Sequence, residues 1–327
     1  FGSSHSISRA RMGISFSPFS SPPHPQVEGC LFGTRVRRPA GDSDAAVATA
    51  YRPLRKHPEL FDADSGWRED WFDPDFLKAI LGDDDALWAN IVQEHLPGAV
   101  FSCKMFSEHF CQLLIDEVDH FATTGLPARR PNTMNNYGVI LNDIGWKPMV
   151  DSLQDNILSK ISARVWPQIA PLDFHHTFIV RYKEGNDLGL DMHTDASDIT
   201  FNLCLGKTFA GAGLTFCGNM GQPNHRKHTL TYHHQVGHCV WHLGRQRHGA
   251  DDISSGERIN LIMWNRSSVY RRSKEYTQLI QLKEEGPPDA VCLSYTHDRD
   301  YGVFREYNAN NSDFQGRGWC PRPGKEY

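Results

Sequence analysis

No uninterrupted apolar run in this chain approaches the roughly 20 residues that carry a helix across a bilayer. The sequence therefore reads as soluble. The eight cysteines, Cys30, Cys103, Cys111, Cys204, Cys217, Cys239, Cys292 and Cys320, contain no CxxC pair and no disulfide-scaffold spacing. Several lie in apolar, strand-like runs where a reduced cysteine behaves as a small hydrophobe, so a reducing compartment, cytoplasm or nucleus, is expected, although an even count leaves a disulfide open. A positive balance is also missing: the formal net charge is −5 and the isoelectric point is near 6.4. The basic clusters Arg129-Arg130, Arg226-Lys227 and Arg271-Arg272-Ser273-Lys274 then read as solvated surface, and a nucleic-acid partner is not favoured. Acidic residues are scarce before Asp42. Residues 1–50, rich in Ser, Pro, Gly and Arg, read as an irregular segment. That bias resembles an organellar targeting region; the alternatives are a disordered linker or residues added for expression.

What is present is enough for one large core or two smaller ones, with 39% hydrophobic and 22% charged residues. Residues 51–130 read as a helical N-terminal region. Asp73-Pro74 supplies a cap and a first-turn proline ahead of Phe76, Leu77, Ile80 and Leu81, ending at Gly82. A second helix is expected over Asp84–Glu94, and a third from Ser107 to Gly125 with Phe110, Leu113, Leu114, Val118 and Phe121 on one side. Residues 151–166 add another amphipathic helix. Alternation then takes over: 139–141, 178–182, 199–205, 239–243 and 258–264 read as strands separated by Gly-rich turns. An α+β fold follows, with a double-stranded β-helix (jelly roll) over 131–268 buttressed by the N-terminal helices. Residues 269–327 form a C-terminal extension. Its aromatic tail, with Tyr301, Phe304, Tyr307 and Trp319, is expected to fold back over the barrel mouth.

Against this frame stand His193-Thr194-Asp195, His248 and Arg258. Two neutral imidazoles and one carboxylate on one face of a metal leave positions open for co-substrate and dioxygen, the arrangement that suits non-haem Fe(II). An arginine at the head of a strand can clamp the far carboxylate of a 2-oxo acid through two parallel hydrogen bonds and never deprotonates. In a chain with 17 His and 39 Asp plus Glu, an HxD triplet alone arises easily by chance. The flanking strands give it weight, since they place the triplet at a turn and put Arg258, Asn260, Ile262 and Trp264 on one face.

Other histidines carry less. His175-His176, His225, His228, His233-His234 and His238 invite a second metal, but adjacent strand residues point to opposite faces. His242 falls on the metal's side by alternation and reads as packing behind the ligands. Asn135, Asn136 and Tyr137, uncharged hydrogen-bonding groups in an unusual connector, are candidates for substrate binding at the mouth; a capped turn entering the strand at Val139 is the plainer reading.

Phe178–Tyr182, Met192–Ser197, Ile199–Leu205, Gly211–Phe216 and His248-Gly249 with Gly256-Glu257-Arg258 together resemble the catalytic domain of prolyl-4-hydroxylase-type Fe(II)/2-oxoglutarate dioxygenases. Within that superfamily the chain is similar to the procollagen lysyl hydroxylase branch. It is more similar still to the group of 2-oxoglutarate and iron-dependent oxygenase domain-containing proteins, a likeness that reaches upstream to Arg130–Gly138 and Tyr51–Leu54. The resemblance covers residues 51–268. It implies iron ligation by His193, Asp195 and His248, binding of the distal carboxylate by Arg258, and co-substrate contacts from Tyr182 and, less firmly matched, Asn202 and Asn260. Fe(II), 2-oxoglutarate, O2 and ascorbate as reductant are the implied cofactors. Because Asp195 stands where halogenating relatives have a small residue, hydroxylation is the implied outcome. A protein or peptide side chain is the leading substrate. A small molecule or nucleobase, or a metal-retaining jelly-roll binding module without catalysis, are the competing readings. The sequence does not specify the oligomeric state.

Overall fold

The computed structural model describes residues 42–284, 286–289 and 291–292. Asp42–Tyr51 forms a helix (α1), so the irregular segment expected over 1–50 does not extend through its last nine residues; the Ala-rich run Asp44-Ala-Ala-Val-Ala-Thr-Ala50 favours helix intrinsically. Residues 1–41, and the aromatic tail with its expected closure of the mouth, lie outside the described residues.

The Asp73 carboxylate accepts from the Asp75 and Phe76 amides and starts α2 (Pro74–Leu81), which buries Phe76, Ala79 and Ile80. Asp84 caps α3 (Asp85–Ile91). The helix expected to run to Glu94 stops at Ile91 because β1 (Gln93–Leu96) pairs antiparallel with β2 (Val100–Lys104), and strand pairing overrides the local propensity there. Ser107 caps α4 (Glu108–Thr123), followed by β3 (Gly138–Ile140). The helix expected from 151 starts earlier. Trp146 offers no side-chain cap, and Pro148 in the first turn presets the backbone of α5 (Lys147–Leu153), so the polar start signal is missing. A π turn at Gln154–Leu158 leads into α6 (Ser159–Val165).

Nine strands follow: β4 (Phe174–Lys183), β5 (Leu190–His193), β6 (Ile199–Gly206), β7 (Phe209–Gly211), β8 (Leu214–Asn219), β9 (Leu230–Tyr232), β10 (His238–Leu243), β11 (Gln246–Ala250) and β12 (Ile253–Arg266). The larger antiparallel sheet has the order β1-β2-β10-β6-β12-β4-β3, with β7 on β12; the smaller is β5-β11-β8-β9. Two short helices, α7 (Ser268–Arg271) and α8 (Lys274–Gln281), begin the C-terminal extension. Among the described residues no helix is long and apolar enough to cross a membrane.

Period-2 alternation divides the larger sheet's two faces. Phe201, Leu203 and Leu205 of β6 and Ile259, Leu261 and Met263 of β12 join the main core with Phe76, Phe110, Leu114 and Trp146 from the helical layer. The intervening residues, Thr200 and Asn202 on β6 and Arg258, Asn260, Ile262 and Trp264 on β12, line a cavity that residues of the smaller sheet close. Burying one large side chain is worth roughly 1.5–3 kcal/mol, so a one-residue slip of either strand would expose several such groups. That cost fixes the register of the polar face.

Candidate metal and co-substrate site

His193 ends β5 and His248 sits directly opposite it on β11. The register brings their ring centroids to 4.3 Å. His193 Nδ1 donates to the Asp191 carbonyl at 2.6 Å and His248 Nδ1 donates to the Gln246 carbonyl at 2.8 Å. Carbonyls only accept, so both rings carry their proton on Nδ1 and leave the Nε2 lone pair free. Asp195 faces those lone pairs, with Oδ1 3.4 Å from His193 Nε2 and Oδ2 3.6 Å from His248 Nε2. One ligand atom from each residue lies within 4.8 Å of the others, spacing that a single ion can bridge.

Backbone geometry holds the carboxylate in place. The Asp195 amide donates to the Gly244 carbonyl at 2.8 Å, and the Gly244 amide donates to Asp198 at 3.0 Å. A Cβ on residue 244 would fall 2.1 Å from the Ser197 carbonyl oxygen, so only glycine admits this approach. Thr200 donates to Asp195 Oδ2 at 2.5 Å. Burial pushes the Asp195 carboxyl up, but His248 and His193 outweigh it and hold the group below the usual carboxylate range. Burial drives His248 well down, leaving it neutral. An ionised carboxylate beside a neutral His248 imidazole suits metal binding, which needs both groups deprotonated.

Arg258, 1% exposed, shares the cavity with the triad. Its Nη1 donates to the Ala212 carbonyl at 2.6 Å, its guanidinium carbon stands 4.6 Å from the Tyr182 ring centre, and its Nε has no partner. Among the described residues no carboxylate pairs with it. Burial draws its pKa below the ordinary value and Tyr182 opposes that shift, yet a guanidinium keeps its proton. A buried, unpaired cation costs several kcal/mol. The arrangement fits an anion supplied by a ligand.

Tyr182, Asn202 and Asn260 all line the same cavity, a cleft of about 440 Å³. Burial raises the Tyr182 pKa, so its hydroxyl stays protonated; it accepts from Asn135 Nδ2 at 3.2 Å. Asn260 Nδ2 donates to Asn202 Oδ1 at 2.5 Å, and Asn260 Oδ1 is buried without a partner. Of the three mouth candidates only Asn135 reaches the cavity. Asn136 is held away through its backbone and side-chain amides by Asp187, and Tyr137 is 42% exposed outside the wall. Asn132, Thr200 and Trp264 also line the cleft. Alternation from Asn202 and Arg258 marks Thr200 and Trp264 in the sequence; Asn132 belongs to the same amide-rich connector as the three mouth candidates, and its side chain bonds to Asn135. His242 is buried, donates Nδ1 to the Leu243 carbonyl and packs 4.4 Å from the His248 ring, outside the three-ligand group.

Two facing antiparallel sheets around a His-Asp-His group and a buried arginine define a class of metal-dependent, carboxylate-binding protein. Comparison with known proteins narrows this. Residues 47–171 match the OGFOD2-like domain. The chain is 34% identical over 248 residues to human 2-oxoglutarate and iron-dependent oxygenase domain-containing protein 2, with 73% of this chain and 69% of that protein covered. It belongs to the family of 2-oxoglutarate and iron-dependent oxygenase domain-containing proteins of the OGFOD2 type. Against the Arabidopsis thaliana protein ICU11, whose name carries the same oxygenase domain, identity is 37% over 241 residues, with 70% of this chain and 59% of the relative covered. The chain thus spans about 60% of the length of its Arabidopsis relatives. More distantly, human procollagen-lysine,2-oxoglutarate 5-dioxygenase 1 is 24% identical over 181 residues, covering 51% of this chain and 24% of that enzyme. The family implies iron and 2-oxoglutarate. The free Nε2 lone pairs, the ionised Asp195 and the unpaired Arg258 fit both.

Proposed function

We propose that this chain is an Fe(II)- and 2-oxoglutarate-dependent dioxygenase that hydroxylates a C–H bond on a protein or peptide side chain. The observation that carries the reading is the buried, unpaired Arg258 in the same cavity as His193, Asp195 and His248. The two facing sheets are read as the double-stranded β-helix core of this class.

In this reading His193, Asp195 and His248 would hold the iron, and the backbone hydrogen bonds of the two imidazoles keep their Nε2 atoms turned toward Asp195. Arg258 binds the distal carboxylate of 2-oxoglutarate through Nε and a second guanidinium nitrogen, while Tyr182, Asn202 and Asn260 orient the rest of the molecule. Bound Fe(II), with 2-oxoglutarate and dioxygen, supplies the oxidising power to replace an unactivated hydrogen by hydroxyl. Val180, Leu190, Leu214 and Ile262 keep the reacting region dry. Asn135 contacts the incoming substrate from the Tyr182 side. The procollagen-lysine dioxygenase among the distant relatives supports a protein substrate.

The test is succinate formation by the purified chain with Fe(II), ascorbate, oxygen and 2-oxoglutarate, first alone and then with candidate peptides and oligonucleotides. Peptide-stimulated succinate together with a mass gain of one oxygen on the peptide is expected. No turnover by an iron-loaded chain that binds 2-oxoglutarate would favour a binding module, and stimulation only by oligonucleotides would move the substrate to nucleic acid.

A further inference from the structure

The smaller sheet has an outer face that the mechanism leaves unused. Strand alternation points His193, His248 and Phe216 inward, so Met192 on β5, Arg247 on β11 and Cys217 on β8 face the other way across three adjacent strands. Cys292, from the C-terminal extension, covers them. It clusters with Met192 and Cys217, both cysteines are fully buried, and Cys217 Sγ lies 4.0 Å from Met192 Sδ. The Cys217 and Cys292 thiols share a hydrogen bond, and Arg247 hydrogen-bonds to Cys292 as well. Asp289 docks the covering segment: its amide donates to the Arg226 carbonyl at 3.0 Å and its carboxylate accepts from the His228 amide at 2.6 Å and the Cys292 amide at 2.8 Å.

We propose that Cys217 and Cys292 are a redox-modification site, a dithiol–disulfide couple that fastens the segment carrying Asp289 and Cys292 covalently to the outer face of the smaller sheet, directly behind the two histidines of the candidate metal site. The position in contact with each other and with a guanidinium separates this pair from the other described cysteines. Burial raises the thiols of Cys103, Cys111, Cys204 and Cys239 and keeps them inert. At Cys292 the hydrogen bond from Cys217, helped by Arg247, overcomes burial and lowers the thiol, while Cys217 is raised by the same bond. Cys292 lies on the covering segment and Cys217 within β8, so local detachment of that segment brings Cys292 to the oxidant first; Cys292 is the attacking sulfur and Cys217 the resolving one.

A low-molecular-weight disulfide such as oxidised glutathione serves as oxidant. The Cys292 thiolate attacks one glutathione sulfur, forming a mixed disulfide and expelling one glutathione thiolate. Cys217 then loses its proton to solvent, attacks Cys292 sulfur and expels the second glutathione. Two protein thiols and one glutathione disulfide become one protein disulfide and two glutathione molecules. Since both sulfurs are buried, the oxidant enters when the segment held by Asp289 detaches locally, an opening far cheaper than global unfolding.

The experiment equilibrates the full chain, stripped of metal, in glutathione buffers of increasing oxidation, followed by acid quench, alkylation and peptide mapping. One crosslinked peptide pair joining Cys217 to Cys292 is expected before Cys103, Cys111, Cys204 or Cys239 reacts. Oxidised protein should melt higher than reduced protein by on the order of 10 °C, because the bond closes a long loop of the unfolded chain. Cys217→Ala and Cys292→Ala should each abolish that oxidised-minus-reduced difference, whereas Cys103→Ala should keep it; comparing two redox states of one variant separates this from any folding defect. A first crosslink at Cys103–Cys239, glutathionylation without ring closure, or full alkylation in the most oxidising buffer would each overturn the proposal.

Discussion

Arg258 allows a sharp separation of stability from binding. Its guanidinium is buried, its Nε is unpartnered, Nη1 donates to the Ala212 carbonyl, and the Tyr182 side chain is its other polar neighbour. Replacing a buried ion by an apolar side chain of similar volume is commonly neutral or stabilising by about 1–4 kcal/mol. Arg258→Met should therefore leave the thermal midpoint of the ligand-free protein unchanged or raise it. Loss of a buried charged partner for the co-substrate carboxylate should cost roughly 2–5 kcal/mol. At about 1.4 kcal/mol per tenfold, 2-oxoglutarate affinity should fall by at least some thirtyfold and by as much as several thousandfold. Iron affinity without 2-oxoglutarate should stay within a factor of about three, a change worth under 1 kcal/mol, because Arg258 makes no contact with the triad. Arg258→Lys keeps the charge and loses the planar fork, so its loss should fall between wild type and Arg258→Met. The assays are iron titration, 2-oxoglutarate binding to the iron-loaded protein and a thermal melt on the same preparations. Parallel losses of iron and 2-oxoglutarate affinity with a lowered midpoint would refute the reasoning and make Arg258 a structural residue of the core.

The remaining expectations concern the triad, its support, the mouth and pH. His193→Ala, Asp195→Ala and His248→Ala should each abolish Fe(II) retention and 2-oxoglutarate turnover while the domain stays folded; full turnover by iron-loaded Asp195→Ala would remove that residue from the ligand set. Gly244→Ala should displace Asp195, since its Cβ would meet the Ser197 carbonyl oxygen at 2.1 Å, and should cost at least about 1–3 kcal/mol of stability along with iron affinity; an unchanged iron affinity contradicts the backbone account. Asn135→Ala should weaken substrate-stimulated turnover selectively, whereas Asn136→Ala, which breaks the side-chain bond to Asp187, should lower the melting temperature without that selectivity. Burial lowers the pKa values of His175, His234, His242 and His248, so below the ordinary histidine value of about 6.5 the unfolded chain takes up protons that the folded chain refuses. Stability of the metal-free protein should be fully present above that pH and fall progressively below it, and denaturant midpoints that stay level from pH 7 to about 5 would contradict this.

Most of the site is visible in the sequence because strand alternation is strict wherever one face is buried. Arg258, Asn260, Ile262 and Trp264 share a face by counting alone, and the register of β12 against β6 and β4 preserves that count. The helical layer is less visible. Val100–Lys104 is a short strand inside a region rich in helix signals, and its identity depends on pairing with β10, whose residues lie far along the chain. The mouth is the least visible part, for a related reason. Asn135 and Asn136 are adjacent, chemically identical side chains, and what separates them is Asp187, which accepts from the Asn136 backbone and side-chain amides and leaves Asn135 turned toward Tyr182. Asp187 stands in a turn between β4 and β5 with no local feature that announces a partner about fifty residues upstream. Periodicity assigns faces within a strand; only the tertiary hydrogen bonds decide which of two neighbouring amides meets the ligand.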